Sequence, residues 1–174
     1  QRMSDVTIAS FNVKNLIAAD QEYYRFEKYT PEEYAWKEAW LSEQLLTMNA
    51  DIVGFQEIFD EAPLRAVIAE TDALGAAANE ANIPDRPKRY ARKAIFRKLA
   101  FTPYTDAALA FAPNANDGGP GERRPGVAIL SRFGFAGAPE VLQELDEPLT
   151  IPFRDLDNSD GGAYTIKRLS RPIL

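Results

Sequence analysis

Two apolar runs that each end in a polar residue constrain the fold of this chain more than any other feature. Residues 51–57 read Asp-Ile-Val-Gly-Phe-Gln-Glu, and residues 7–12 read Thr-Ile-Ala-Ser-Phe-Asn. Runs of Ile, Val and Phe without polar alternation are typical of strands covered on both faces, as in sheets with helical crossovers. Ligands of such sheets gather at the carboxyl ends of the strands. We therefore expect Asn12 and Glu57 to emerge at one rim and to mark a site.

The segment between the two runs predicts a helix. Residues 30–33 read Thr-Pro-Glu-Glu, which is the pattern of a capping box with proline in the first turn. Apolar residues then recur at a helical spacing, at Trp36, Trp40, Leu41, Leu45 and Met48. This spacing predicts that the two tryptophans belong to the core. A strand, helix and strand in this order favour a right-handed crossover between parallel strands.

The rest of the chain predicts a single α/β domain spanning residues 1–174. We expect a helix over residues 62–82, strands over 106–111 and 126–130, and a loop over 114–121 between those strands. Residues 155–158 predict a turn before a strand-like segment at 163–166, and residues 139–153 look irregular. No apolar run approaches the roughly 20 residues that span a bilayer. We expect a soluble protein, either cytoplasmic or exported after removal of a signal.

The composition excludes several kinds of active site. The 174 residues include no cysteine and no histidine. Disulfides, thiolate nucleophiles, Ser-His-Asp triads and His-Glu-x-x-His zinc sites are therefore impossible within this chain. The remaining chemistry uses carboxylates, amides, hydroxyls, lysine and arginine. A carboxylate beside an amide at a sheet rim suits a hard cation such as Mg²⁺.

Three segments in order resemble the strand motifs of a known superfamily. Residues 10–16 read Ser-Phe-Asn-Val-Lys-Asn-Leu, residues 50–57 read Ala-Asp-Ile-Val-Gly-Phe-Gln-Glu, and residues 126–132 read Gly-Val-Ala-Ile-Leu-Ser-Arg. They resemble the first three motifs of the endonuclease/exonuclease/phosphatase, or DNase I-like, superfamily. The resemblance implies a four-layer α/β sandwich, in which mixed β-sheets are flanked by helices. It also implies a hydrolase that cleaves phosphate esters with Mg²⁺ or Mn²⁺.

In this resemblance Glu57 is the metal ligand, and Asn12 binds the metal-site water network or the phosphate. In-line attack of water at phosphorus also needs a positioned nucleophile. The family handles that water with an Asp-x-Asn motif, a further aspartate and a Ser-Asp-His motif, and this sequence has no counterpart of them. We therefore expect the chain to be the N-terminal portion of such a domain, inactive alone. A missing C-terminal half or a partner chain would cover the inner face of its sheet.

Several cations are weaker candidates for contacts with a substrate phosphate. Arg171, just before Pro172, resembles an arginine that approaches the phosphate in DNase-like relatives, although a surface salt bridge explains it equally well. Arg123 and Arg124 could line the mouth of a cleft, but a solvated turn is the simpler interpretation. Lys14 stands where many relatives carry an acidic residue, and a cation cannot ligate Mg²⁺. Either the site relies on Glu57 alone among the carboxylates of this half, or Lys14 contacts phosphate directly. Asn15 is interpreted as a helix-start or turn residue.

A basic segment offers a further interaction surface. Residues 86–98 hold seven cations and no anion, whereas the whole chain has a net charge of −6. Its candidate nucleic-acid contacts are Lys88, Arg89, Arg92 and Lys93. A cationic strip on an acidic protein is what DNA or RNA binding needs. The alternative is an ordinary surface helix with solvated cations and an apolar face.

Three functions compete for these observations. The first is a Mg²⁺-dependent nuclease, acting as an endonuclease or an exonuclease on DNA or RNA. The second is a phosphatase or a phospholipid phosphodiesterase on the same fold. The third is a truncated, noncatalytic binding or interaction module, which the absence of histidine supports best.

Overall fold

The computed structural model describes residues 5–81 and 100–174. Within these two ranges, two helices, α1 (Pro31–Met48) and α2 (Glu61–Ala81), are combined with six strands. The strands are β1 (Ile8–Leu16), β2 (Ile52–Ile58), β3 (Ala108–Ala112), β4 (Gly126–Ser131), β5 (Leu142–Arg154) and β6 (Asp160–Ile173). A short 3₁₀ turn, Tyr24–Phe26, lies between β1 and α1. The fold is therefore mixed α/β, as the sequence indicated.

The main sheet has four strands in the order β1-β2-β4-β3. β1 and β2 are parallel, which confirms the prediction for the strand–helix–strand unit, and the other pairs are antiparallel. Because β4 runs antiparallel to β2, its first residue, Gly126, pairs with Ile58 at the carboxyl end of β2. The loop between β3 and β4 therefore ends at the same rim as Asn12 and Glu57. This rim is the natural place for a site.

The start of α1 follows the predicted capping box. The Thr30 hydroxyl accepts a hydrogen bond from the Glu33 amide at 3.2 Å, and the Glu33 carboxylate accepts one from the Thr30 amide at 2.9 Å. These two bonds satisfy donors that a helix start would otherwise leave free. The helix ends at Asn49, whose left-handed backbone conformation terminates it.

The core lies between the helices and one face of the main sheet. On this face Phe11, Val53, Phe55, Ala128 and Leu130 alternate with residues that point the other way. They pack with apolar residues of the helices, which include Leu41, Leu45, Leu64, Val67 and Ile68. The fully buried Leu41 and Leu45 show that α1 uses its predicted leucines for the core.

The prediction for the two tryptophans was wrong. Trp36 is 71% exposed and Trp40 is 44% exposed. At about 100° per residue, Trp36 lies about 140° around the helix from Leu41, so it faces away from the sheet. The helical spacing correctly predicted helix α1, but it assigned the tryptophans and the buried leucines to one face although they lie on different faces.

The opposite face of the main sheet is only partly covered, although the apolar runs predicted strands covered on both sides. Ile8 is 71% exposed, and its neighbours on this face, including Ile52 and Ile129, are half-buried. A groove on this face is lined by Ile52, Ile129, Phe135, Pro139 and Leu174 among others.

β5 and β6 form a separate two-stranded antiparallel sheet. The prediction that residues 139–153 are irregular was wrong, because most of them belong to β5. The predicted turn at 155–158 is confirmed, with the Asn158 amide donating to the Asp155 carbonyl at 2.8 Å. The strand-like segment at 163–166 lies within β6.

Neither helix of the described ranges combines the length and the apolar character needed to cross a bilayer.

Candidate functional site

Glu57 stands at the carboxyl end of β2 with both carboxylate oxygens engaged. Oε1 accepts a hydrogen bond from Asn12 Nδ2 at 3.2 Å, and Oε2 accepts one from the Asn15 amide at 3.0 Å. The structure thus brings the predicted pair, Asn12 and Glu57, into direct contact. Glu57 is half-buried, so its charge is fixed in place and remains reachable from solvent.

The backbone at this rim is held in an unusual conformation. Lys14, Asn15 and Glu57 all have positive φ angles, of 53°, 58° and 65°. Non-glycine residues adopt this region at a cost, and such residues cluster at functional sites. In a regular strand Glu57 would follow Val53 and Phe55 into the core. The left-handed turn, with its register shift after Gln56, instead moves the carboxylate out to meet Asn12.

Asn15 is a site residue that the sequence interpretation missed. It belongs to β1, not to a helix start, and it is 7% exposed. Its backbone N–H donates to the Glu57 carboxylate, and its side-chain Nδ2 donates to the Tyr24 hydroxyl at 2.8 Å. Within the part of the chain that the structure describes, Asn15 Oδ1 is a buried acceptor with no partner. The only signal in the sequence was a second asparagine three residues after Asn12.

A cleft with a volume of about 780 Å³ lies on the Tyr24 side of Glu57, and we call it the arginine cleft. Its lining residues are Tyr24, Arg25, Asn116, Gly118, Gly121, Glu122, Arg124 and Arg171. Two of the predicted phosphate contacts, Arg124 and Arg171, therefore share one cavity. Both side chains are exposed, and neither forms an ion pair within residues 5–81 and 100–174.

Arg123 does not face this cleft, although the sequence left that possibility open. Its guanidinium forms ion pairs with Asp60 at 2.9 Å and with Asp117 at 2.8 Å, and it stacks near the Phe59 ring. These carboxylates raise the pKa of Arg123 further above its ordinary value. Arg123 therefore attaches the loop between β3 and β4 to Asp60. It is neither a cleft residue nor part of a solvated turn.

A second cleft, of about 720 Å³, lies on the Lys14 side, and we call it the lysine cleft. Its lining residues are Lys14, Tyr23, Glu27, Lys28, Tyr29, Glu32, Glu33, Trp36 and Lys37. The Lys14 amide donates to Asn12 Oδ1 at 2.9 Å, which ties this cleft to the Asn12–Glu57 pair. Burial lowers the pKa of Lys37, and the charge of the neighbouring Lys14 lowers it further.

The donor set at the rim fits a partly hydrated hard cation better than a closed metal cage. Among the described residues, no three Asp, Glu, His or Cys side chains gather closely enough to enclose a metal ion. Glu57 offers one carboxylate, and the unpartnered Asn15 Oδ1 is a neutral oxygen in the same cluster. Mg²⁺ is commonly held by one or two carboxylates and otherwise keeps water and substrate oxygens. Glu57 is thus the residue that could hold such an ion.

The predicted basic strip of Lys88, Arg89, Arg92 and Lys93 lies outside the described residues. Comparisons of the chain with models of protein families, with curated proteins and with solved structures found no match.

Proposed function

We propose that this chain carries the cation-binding and phosphate-binding part of a divalent-metal-dependent phosphoesterase, and that the substrate is a phosphodiester of a nucleic acid. The observation that carries this proposal is the position of Glu57. Glu57 is half-buried at a strand end, with a left-handed backbone, and Asn12 and Asn15 orient its carboxylate. Asn15 and Tyr24 connect it to the cleft that holds Arg124 and Arg171.

The residues divide the work as follows. Glu57 holds Mg²⁺ or Mn²⁺, and Asn12 keeps the carboxylate in place by its 3.2 Å hydrogen bond. Arg124 and Arg171 bind phosphoryl oxygens, because a guanidinium matches the geometry of a phosphate group. When bound, the ion would neutralise the negative charge that develops on the phosphoryl oxygens.

The proposal extends to the fold and to a partner. The main sheet with its helices on one face is half of a DNase I-like four-layer sandwich. The partly open face, where Ile8 is exposed, is covered by a second sheet from a further segment or a partner chain. That segment also supplies the groups that activate water.

Two other functions remain as alternatives. A phosphatase or a phospholipid phosphodiesterase would use the same Glu57 and the same arginine cleft with a different leaving group. A noncatalytic binding module would use the clefts alone. The noncatalytic module is favoured by one observation, which is that no three Asp, Glu, His or Cys side chains of the described ranges form a group that could hold a metal ion.

A plasmid-nicking assay tests the proposal. The protein that contains this chain in full is incubated with supercoiled DNA in Mg²⁺ and in EDTA, as wild type and as Glu57→Ala. We expect EDTA to abolish nicking and Glu57→Ala to slow it by at least about 100-fold, because metal-ion stabilisation is worth several kcal/mol. Glu70→Ala, an exposed residue on α2, is the matched control and should leave the rate unchanged. Nicking that persists in Glu57→Ala would remove Glu57 from the mechanism.

A further inference from the structure

The lysine cleft is joined to the Asn12–Glu57 pair by a continuous series of contacts. The Lys37 ammonium lies 5.4 Å from the centre of the Tyr29 ring, and the Tyr29 hydroxyl donates to the Lys14 carbonyl at 3.1 Å. The Lys14 amide in turn donates to Asn12. The arginine cleft is joined to Glu57 from the other side, through Tyr24 and Asn15. Both clefts are therefore linked to Glu57 through hydrogen-bonded residues.

Two ammonium groups in the lysine cleft, those of Lys14 and Lys37, lie close enough to repel each other. Lys37 is half-buried, and within residues 5–81 and 100–174 neither Lys37 nor Lys14 forms an ion pair. The depressed pKa of Lys37 reflects burial first and the charge of Lys14 second. Burial and the like charge of Lys14 both disfavour the charged form of Lys37, and a phosphate bound beside the two ammonium groups would offset this.

The cleft also contains three carboxylates, and within the described residues none of them forms an ion pair with Lys14 or Lys37. Glu33 is committed to the amide of Thr30 at the start of α1. Glu27 lies beside the Tyr23 hydroxyl, and burial together with the neighbouring Tyr29 and Glu27 raises the pKa of Tyr23. Glu32 is exposed to solvent in the first turn of α1.

The exposed Trp36 gives the cleft a flat apolar surface. A tryptophan that is 71% exposed gains nothing from the core, and here it lines a cavity of about 720 Å³. Cavities of this size hold ligands of nucleotide size. Indole rings are favoured platforms for stacked bases, because every base offers a π-face.

Resting on the proposed function, we propose that the lysine cleft is a second substrate subsite that holds a neighbouring nucleotide of a single-stranded phosphodiester chain, with its phosphate at Lys14 and Lys37 and its base stacked on Trp36. The nucleotide at this subsite must be unpaired, because a base inside a duplex cannot stack on a protein ring. The strand crosses Glu57 and places another phosphate in the arginine cleft. A simple phosphate monoester fills one cleft and leaves the other empty.

Binding of a fluorescein-labelled oligothymidylate of about 10 nucleotides tests the subsite. Fluorescence anisotropy is measured in EDTA, so that no cleavage occurs. We expect Trp36→Leu to weaken binding about ten-fold, which is typical for the loss of one stacked base. Trp36→Phe should retain most of the affinity. Trp40→Leu, on the same helix but outside the cleft, is the matched control and should bind like the wild type.

The salt dependence of the same binding tests the phosphate contact. Lys37→Gln should reduce the slope of log K against log salt by about 0.7, the value for one contact with a single strand. Lys167→Gln, an exposed residue of β6, should leave the slope unchanged. Inorganic polyphosphate competes as a probe without bases, and Trp36→Leu should not alter its competition.

The outcomes separate the subsite from the proposed function. If Trp36→Leu and Lys37→Gln both bind like the wild type while nicking depends on Glu57, the subsite is refuted and the proposed function stands. If binding depends on Trp36 but nicking ignores Glu57, the proposed phosphoesterase is refuted and the cleft is a strand-binding site. Weaker strand binding by Trp36→Leu together with loss of nicking by Glu57→Ala upholds both.

Discussion

At the scale of single residues, the site depends on backbone conformations that a sequence motif does not reveal. Glu57 reaches Asn12 only because its φ angle of 65° breaks the alternation of β2. The sequence therefore predicted that Glu57 lies at the end of β2, but it did not predict the direction in which its carboxylate points. The same holds for Asn15, because it binds the Glu57 carboxylate through its backbone N–H, a contact that the residue type does not predict.

A buried tyrosine gives a prediction about the effect of pH on stability. The Tyr104 hydroxyl donates to the Ala50 carbonyl at 2.6 Å, and burial raises the pKa of Tyr104 to about 12. The folded state thus retains a proton that the unfolded chain loses near its ordinary value of 10.0. This contribution to stability is complete below pH 10 and is lost as the pH rises from about 10 to about 12.

Urea unfolding of Tyr104→Phe at several pH values measures this effect. At pH 7 the variant should be about 1–3 kcal/mol less stable, because the Ala50 carbonyl is left buried without a donor. The difference from the wild type should narrow as the pH rises above 10. Tyr164→Phe, in the exposed hairpin, should differ little from the wild type at any pH. A constant difference across this range would contradict the assignment.

At the scale of elements, the sequence predicted the units whose local signals agree with their packing. The capping box fixed the start of α1, and two apolar runs around it fixed the parallel pair β1 and β2. β5 was missed because most of its side chains are exposed on both faces and it contains Pro148 and Pro152. No apolar alternation marks such a strand, and only its pairing with β6 reveals it.

The loop between β3 and β4 gives a prediction about the stability of the fold. Arg123 fastens this loop to Asp60, just before α2, through two parallel hydrogen bonds of 2.9 Å. Its side chain is largely buried, so removing it leaves Asp60 and Asp117 without their partner. Arg123→Leu should lower the free energy of unfolding by about 2–4 kcal/mol.

The neighbouring arginine provides the matched control for this stability effect. Arg124→Leu removes the same charge from an exposed position, so we expect a change within about 0.5 kcal/mol. Arg123→Lys keeps the charge but loses the planar fork, and its stability should fall between the two. Urea unfolding of the three variants provides the comparison. Equal stabilities for the two leucine variants would show that the loop is held by other contacts.

At the scale of the whole molecule, two sheets meet at a small polar junction. Asn114, in the loop after β3, donates to the carbonyls of Pro125 and Ser170 at 2.9 Å and 3.0 Å. Gln143 of β5 donates to Asn114 Oδ1 at 2.7 Å and to the Leu169 carbonyl at 2.8 Å. The β5–β6 hairpin is thereby attached to the rim that carries the arginine cleft, and Arg171 reaches that cleft from β6.

The whole-molecule arrangement was the part least accessible from sequence. An apolar run predicts a buried strand, but it does not say whether one face or both are covered in this chain. The exposed Ile8 on β1 and the long exposed hairpin both depend on what else packs against them. Such contacts are tertiary, and no local propensity encodes them.

Gln143 gives a prediction about how the hairpin is held. A two-stranded hairpin is at best marginally stable in water, so the order of β5 and β6 should depend on this junction. Gln143 is 4% exposed, and its Oε1 also accepts from the Ala115 amide at 2.7 Å. Gln143→Met fills the same space but leaves buried polar groups unsatisfied, at about 1–3 kcal/mol each.

Hydrogen exchange in β6 should reveal the consequence of this substitution. In Gln143→Met the amides of β6 should exchange faster, while those of β1 and β2 keep their wild-type protection, because the hairpin opens as a local unit. The control is Glu144→Gln, at the residue next to Gln143, which removes only an exposed ion pair with Arg168. It should change hydrogen exchange in β6 little. Because Arg171 belongs to β6, the loosened hairpin should also weaken oligonucleotide binding at the arginine cleft. Equal protection of β6 in Gln143→Met and wild type would show that strand pairing alone orders the hairpin, and that the polar junction does not position Arg171.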